Sequence, residues 1–162
     1  MNLPFSIPLT IISYAAAWVI LHFGCGYVAH ALPERLFRPG KAFGRALQTR
    51  RWEDSGRFYR RLGIRRWKEL LPEAGALYRG GFNKSRLISA DRAHLERFLS
   101  ETNRAELSHW LTFISGASFF LWNPWWVGLF MMGYAAATNL PFIAIQRYNR
   151  PRLAALEGWR EA

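Results

Sequence analysis

Forty consecutive residues, Leu107 to Gln146, pass without a charged side chain and are broken near the middle by Asn123-Pro124. A bilayer core of roughly 30 Å takes about 20 helical residues to cross, and the two halves, 107–122 and 125–145, approach that length. Proline lacks a backbone donor and disfavours helix in the residue before it, so the break ends the first half. Trp122, Trp125 and Trp126 gather at the break, where an amphipathic ring suits the headgroup level. A second uncharged stretch runs from Asn2 to Pro33, with Ile7 to Leu32 as its apolar part. The pattern predicts an all-α integral membrane protein with three transmembrane helices, at about 7–32, 107–122 and 125–145, the last two forming a hairpin. A buried hairpin in a soluble domain fits less well, because a chain of 162 residues has little core in which to hide it. The first stretch has a competing reading as a secretory signal, since Ala29-His30-Ala31 resembles a small-residue cleavage site. Against it, no Lys or Arg precedes the apolar run, and the run is long for such a signal.

Between the apolar segments the pattern changes to short helices and turns. Asp54 is placed to cap a helix over Ser55 to Leu62 that Gly63 ends, and Ile64 to Leu71 forms a second amphipathic turn before Pro72. Arg57, Arg60, Arg61, Arg65, Arg66 and Lys68 interleave there with Trp52, Phe58, Tyr59 and Trp67, a composition suited to a membrane interface. Glu73 to Arg86 reads as a glycine-containing loop. Ser89 then caps a long helix expected from about Ala90 through Glu106 into the second span.

Charge orients these elements. Residues 34–104 hold 18 of the 22 Lys and Arg and 8 of the 11 acidic residues, and residues 147–162 add four Arg and two Glu. The positive-inside rule puts 33–106 and the basic tail 146–162 in the cytoplasm of a multi-pass cell-membrane protein, with the amino terminus outside. A formal charge of +11 attracts anionic lipids. Nucleic acid is not an expected partner, because the basic residues lie between spans without a binding module. The single cysteine, Cys25, rules out a disulfide within the chain and a thiolate metal site, and Gly24 and Gly26 beside it suggest close helix packing. No metal and no cofactor are expected: there is no His-Glu-x-x-His and no Walker loop.

Two polar constellations carry the candidate chemistry. Leu95, Leu99, Thr102, Glu106, His109 and Phe113 recur at spacings of three and four on one helix face, so Glu106 and His109 are neighbours near the cytoplasmic boundary. Ionisable groups at that depth face a partner or a site rather than lipid. One reading makes His109 a general base with Glu106 as its orienter. The other makes His109 a satisfied interfacial residue and Glu106 the partner of a basic side chain. The second constellation closes the last span as Gln146-Arg147-Tyr148-Asn149-Arg150-Pro151-Arg152. Its guanidiniums suit phosphate or carboxylate, helped by Lys84 and Arg86, with Tyr148 or Asn149 on a sugar or an oxyanion. The alternative is a stop-transfer anchor.

These residues also resemble a family. Arg66-Trp67-Lys68 with Leu71-Pro72 and Gly75, then Glu101-Thr102-x-Arg104-Ala105-Glu106-Leu107-x-His109-Trp110, then Asn139-x-Pro141 leading into 146–153, is similar to the glycosyl-4,4'-diaponeurosporenoate acyltransferases. The resemblance covers about residues 64–153, and the chain departs from it at Gly80-Gly81-Phe82-Asn83-Lys84. It implies a small membrane enzyme that acylates the sugar of a glycosylated carotenoid, with an acyl donor such as acyl-coenzyme A as co-substrate and a carotenoid glycoside or similar glycolipid as acceptor. A scaffold subunit without catalysis, and a transferase with another acceptor, are the alternatives. Acyl-chain length, donor, acceptor and oligomeric state are not legible in the residues.

Overall fold

The computed structural model describes residues 7–71 and 92–158, all helix, turn or loop with no strand among them. The expected loop from Glu73 to Arg86, the Ser89 cap, Lys84 and Arg86 lie outside the described residues. Three long helices carry the architecture: α1 (Ile7–Ala31), α5 (Arg92–Ser115) and α6 (Trp125–Gly158). Between α1 and α5 come the short helices α2 (Ala42–Ala46), α3 (Arg57–Arg61) and α4 (Ile64–Trp67), linked by 3-10 turns.

The register of α1 is fixed by a ladder of contacts. Tyr14 donates its hydroxyl to Asn123 Oδ1, Trp18 stacks on Phe119 at 5.1 Å, Cys25 Sγ lies 3.6 Å from Ser115 Oγ, and Arg104 donates to the His30 carbonyl at 3.0 Å. Residue numbers rise on one side as they fall on the other, so α1 is antiparallel to α5 and parallel to α6. Trp18, Phe119, Val127, Met131 and Ala135 make the core of this bundle. Arg104 also lies over the Phe37 ring, 5.0 Å from its centroid, which ties the start of the basic segment to the last turn of α1.

Four expectations are revised. The 107–122 stretch is not one continuous α-helix: α5 stops at Ser115, and Gly116–Leu121 is a 3-10 segment. The change falls at Gly116, a weak helix former that is closely packed: a Cβ there would meet Ala135 Cβ at 2.9 Å and the Trp18 ring at 3.2 Å. Among the described residues, two helices are long and apolar enough to cross a membrane, Ile7–Ala31 and Trp125–Ala155, in place of the three expected. Nor does α6 end near residue 145. It runs on to Gly158 with Pro141 and Pro151 inside it, because its polar end is packed against α5 and the short helices. Finally, α3 begins after Gly56, in the left-handed region at φ +89°, rather than after Asp54. A Cβ there would only touch Pro151 and the Tyr148 carbonyl at 3.4 Å, so the positive φ is what calls for glycine. Gly63, at φ +69°, ends α3 as its position foretells.

Gly116→Ala should lower stability by about 1–3 kcal/mol, the usual cost of forcing a methyl into a packed contact. Thermal unfolding in detergent measures this, and Gly133→Ala, where an added Cβ meets nothing within 4 Å, is the control.

Candidate active site at the seam of α5 and α6

The polar residues of α6 fall on one stripe. At 3.6 residues per turn, Asn139, Phe142, Gln146 and Arg150 stand above one another, and this stripe faces α5. At its apolar end His109 Nδ1 lies 3.1 Å from Asn139 Oδ1, and the imidazole stacks almost flat on Phe142, with centroids 4.7 Å apart and 9° between planes. Asn139 is fully buried. Its amide nitrogen donates to the Ala135 carbonyl at 2.9 Å and to Thr138 Oγ1 at 3.1 Å. The amide therefore turns its oxygen to the ring, an arrangement that suits His109 Nδ1 as donor, and a neutral imidazole in that tautomer carries its lone pair on Nε2. At Nδ1 the neighbouring group is thus Asn139, where the helix-face reading with His109 as base put Glu106.

Glu106 has other partners. Fully buried, it accepts from Trp110 Nε1 at 3.2 Å and Arg147 Nη1 at 3.3 Å on one oxygen, and from Arg150 Nη2 on the other. Arg147 Nε reaches Glu53 at 2.7 Å, and Glu53, also fully buried, takes the Tyr59 hydroxyl and the Arg50 backbone N–H as well. Arg150 donates further to Asn103 Oδ1 at 2.8 Å and to the Leu47 carbonyl. Burial, reinforced by the bond to Glu53, pushes the Tyr59 phenol above its ordinary range, so it stays a donor.

This cluster contains two carboxylates and two guanidiniums, and its formal charge is zero. Arg147 and Arg150, expected to receive donor phosphates, spend their donors on carboxylates and carbonyls of the chain. The physical reason is burial: an unpaired guanidinium at this depth would cost several kcal/mol, and the carboxylates remove that cost. Arg152 is different. It is exposed, lies over the Tyr148 ring at 5.1 Å and donates to its hydroxyl at 2.7 Å. Tyr148 is itself buried against Tyr59 and Ile64, and Asn149 is half-buried beside it.

Four residues of this seam have no role of their own assigned from the sequence, although Gln146 and Asn139 stand within its motifs. Asn139 and Gln146 carried a signal, being amides at helical spacing in an apolar run. Glu53 and Asn103 carried none, because Glu53 meets Arg147 across 94 positions and Asn103 meets Arg150 across 47. Gln146 is the unusual one. Its Oε1 is buried with no hydrogen-bond partner among the described residues, between the Asn139 level and the Arg150 level of the stripe.

Family comparison identifies the class of this fold and seam: it is an acyltransferase. A family model described as "Glycosyl-4,4'-diaponeurosporenoate acyltransferase" matches residues 41–157, from the start of the short helices to the end of α6. The chain belongs to the glycosyl-4,4'-diaponeurosporenoate acyltransferase family. Relatives of that name from Staphylococcus aureus strains bovine RF122 / ET3-1 and MRSA252 are each 29% identical over 140 residues, covering 86% of this chain and 82% of theirs. The relative from strain USA300 is 28% identical over the same span. No solved structure matches.

Proposed function

We propose that this chain is an integral membrane enzyme that moves a fatty acyl group from an activated thioester, such as acyl-coenzyme A, onto a sugar hydroxyl of a glycosylated carotenoid or similar glycolipid. The observation that carries this reading is the His109–Asn139 contact, because it leaves the imidazole with a lone pair on Nε2. In the reaction the sugar oxygen attacks the acyl carbonyl, a C–O bond forms and the C–S bond breaks. The hydroxyl proton passes to His109 Nε2 and from there to the leaving thiolate. Gln146, the buried acceptor on the same stripe, suits the orientation of a second sugar hydroxyl. The Glu53–Arg147–Glu106–Arg150 cluster holds α6 against α5 and the short helices, and so keeps His109 and Asn139 in register.

Membrane insertion is supported by exposed apolar surface that water would not tolerate as a continuous face. Ile7, Ile12 and Ile20 on α1 are 72%, 62% and 69% exposed, and Trp125, Leu129 and Phe130 on α6 are 72%, 60% and 71% exposed. Between these helices an apolar cleft of about 520 Å³ is lined by Ala15, Trp18, Val19, His22, Phe23 and Tyr134. Tyr134 stands five residues, or roughly 7.5 Å, deeper along α6 than Asn139. An acyl chain or polyene lying there would present its polar head at the level of His109.

In this reading α1 and α6 span, the α5 and 3-10 segment returns beside them, and the basic segments are cytoplasmic. In a Cys25→Ser background, single cysteines at Asn2, Ser85, Asn123 and Glu161 should label from outside intact cells with an impermeant reagent only at positions 2 and 123. Labelling at Ser85 would place the basic segment outside and overturn the topology. The activity is tested with purified protein, acyl-coenzyme A and a glycosylated carotenoid. An ester product that appears with the native chain and is lost in His109→Ala supports the assignment, and an ester formed equally by both removes His109 from it.

A further inference from the structure

The segment 51–70 has two unlike faces. Tyr59 and Ile64 turn inward and are buried with Tyr148, with Trp67, Ala144 and Ile145 packed around them. On the other side Arg57, Arg60, Arg61, Arg65 and Arg66 are exposed. Among them stand exposed apolar side chains: Trp52 at 63%, Leu62 at 54% and Leu70 at 80%, with Phe58 packed edge-on to Trp52 at 5.2 Å. Seven basic residues and three acidic ones make up this segment, and the carboxylate of Glu53 faces inward to Arg147. Its outer charge is therefore strongly positive.

The position of this face is set by what its inner side touches. Ala144, Ile145 and Tyr148 lie where α6 passes from its uncharged part into the arginine-bearing end, the level at which a spanning helix leaves the hydrocarbon. We infer that residues 51–70 form a shoulder that seats on an anionic bilayer surface, guanidiniums on lipid phosphates and Trp52, Phe58, Leu62 and Leu70 among the upper acyl chains. Charge complementarity selects the partner: a zwitterionic headgroup offers each phosphate with its own cation, whereas an anionic one offers net charge to five guanidiniums. The aromatic and leucine side chains select a lipid surface over a free phosphate, which has nothing for them to bury against. Arg147 and Arg150 are neutralised inside the fold, whereas the arginines of this shoulder are exposed.

The inference rests on the membrane placement proposed above, and one experiment separates the two. The full chain, with Cys25→Ser and a nitroxide on Leu62→Cys or on Ile20→Cys, is placed in nanodiscs of phosphatidylcholine alone or mixed with phosphatidylglycerol. Collisions with oxygen and with a water-soluble nickel chelate are then measured. At position 62 the nickel collisions should fall severalfold when phosphatidylglycerol is present, and Arg60→Gln, Arg61→Gln, Arg65→Gln and Arg66→Gln together should abolish that fall. At position 20 the label should be shielded from nickel in both lipids. Equal nickel access at position 62 in both lipids, with position 20 shielded, overturns the shoulder alone. Nickel access at position 20 overturns the membrane placement and the shoulder with it. Loss of the effect on adding inorganic phosphate at constant ionic strength assigns the face to a soluble phosphate and overturns the lipid assignment.

Discussion

Glu106→Leu should destabilise the protein by about 3–5 kcal/mol, the typical cost of removing one partner from a buried ion pair and leaving the other charge uncompensated. Two guanidiniums lose a carboxylate at once, since Arg147 and Arg150 both bond it. Arg147→Gln and Arg150→Gln should show losses of the same order through Glu53 and Glu106. The Michaelis constant for the acyl donor should change little in whatever fraction stays folded. Arg152→Gln, an exposed guanidinium, should cost no more than about 1 kcal/mol. Thermal unfolding followed by tryptophan fluorescence, alongside donor kinetics, decides between the two roles. Arginines that held donor phosphates would leave the unfolding temperature intact and raise the donor Michaelis constant instead.

The second large effect is on turnover. His109→Ala should lower the rate of ester formation by roughly 10²–10⁴-fold, the range associated with a positioned base, and should also lower stability by about 1–3 kcal/mol, because the buried Asn139 oxygen loses its donor. Asn139→Leu keeps the imidazole but removes the acceptor that holds the proton on Nδ1. It should cost about fivefold, on the scale of one hydrogen bond of roughly 1 kcal/mol. Combined, the two substitutions should lose little more than His109→Ala alone, because the amide acts only through the ring. Additive losses would show that Asn139 acts on something other than His109.

How much of this was legible in the residues follows from the range of each interaction. The turn at Asn123-Pro124, the long helix α5 and the break at Gly63 are written in local chemistry, and the structure shows each. So are the two long apolar helices. The change to 3-10 geometry at Gly116 is harder to read locally, since Gly116 packs closely on Ala135 and Trp18, residues that nothing in the segment itself announces. The same distinction applies to the seam. Spacing alone placed Glu106 and His109 on one face, but residues three apart on a helix still diverge by about 60°. That is enough for one to meet Arg147 and Arg150 and the other Asn139. The arginine cluster was visible as a motif, while its neutralisation was not, because Glu53 lies 94 positions away in the earlier basic segment.

Everything proposed for His109 depends on which ring nitrogen carries the proton. Labelling histidine with nitrogen-15 and identifying the His109 signals by their loss in His109→Gln gives the answer directly from the ring shifts of the resting protein. A protonated Nδ1 and a lone pair on Nε2, lost as a single population in Asn139→Leu, is the result expected. A ring protonated on Nε2 in the native protein, unchanged by Asn139→Leu, would contradict the assignment of His109 as the base.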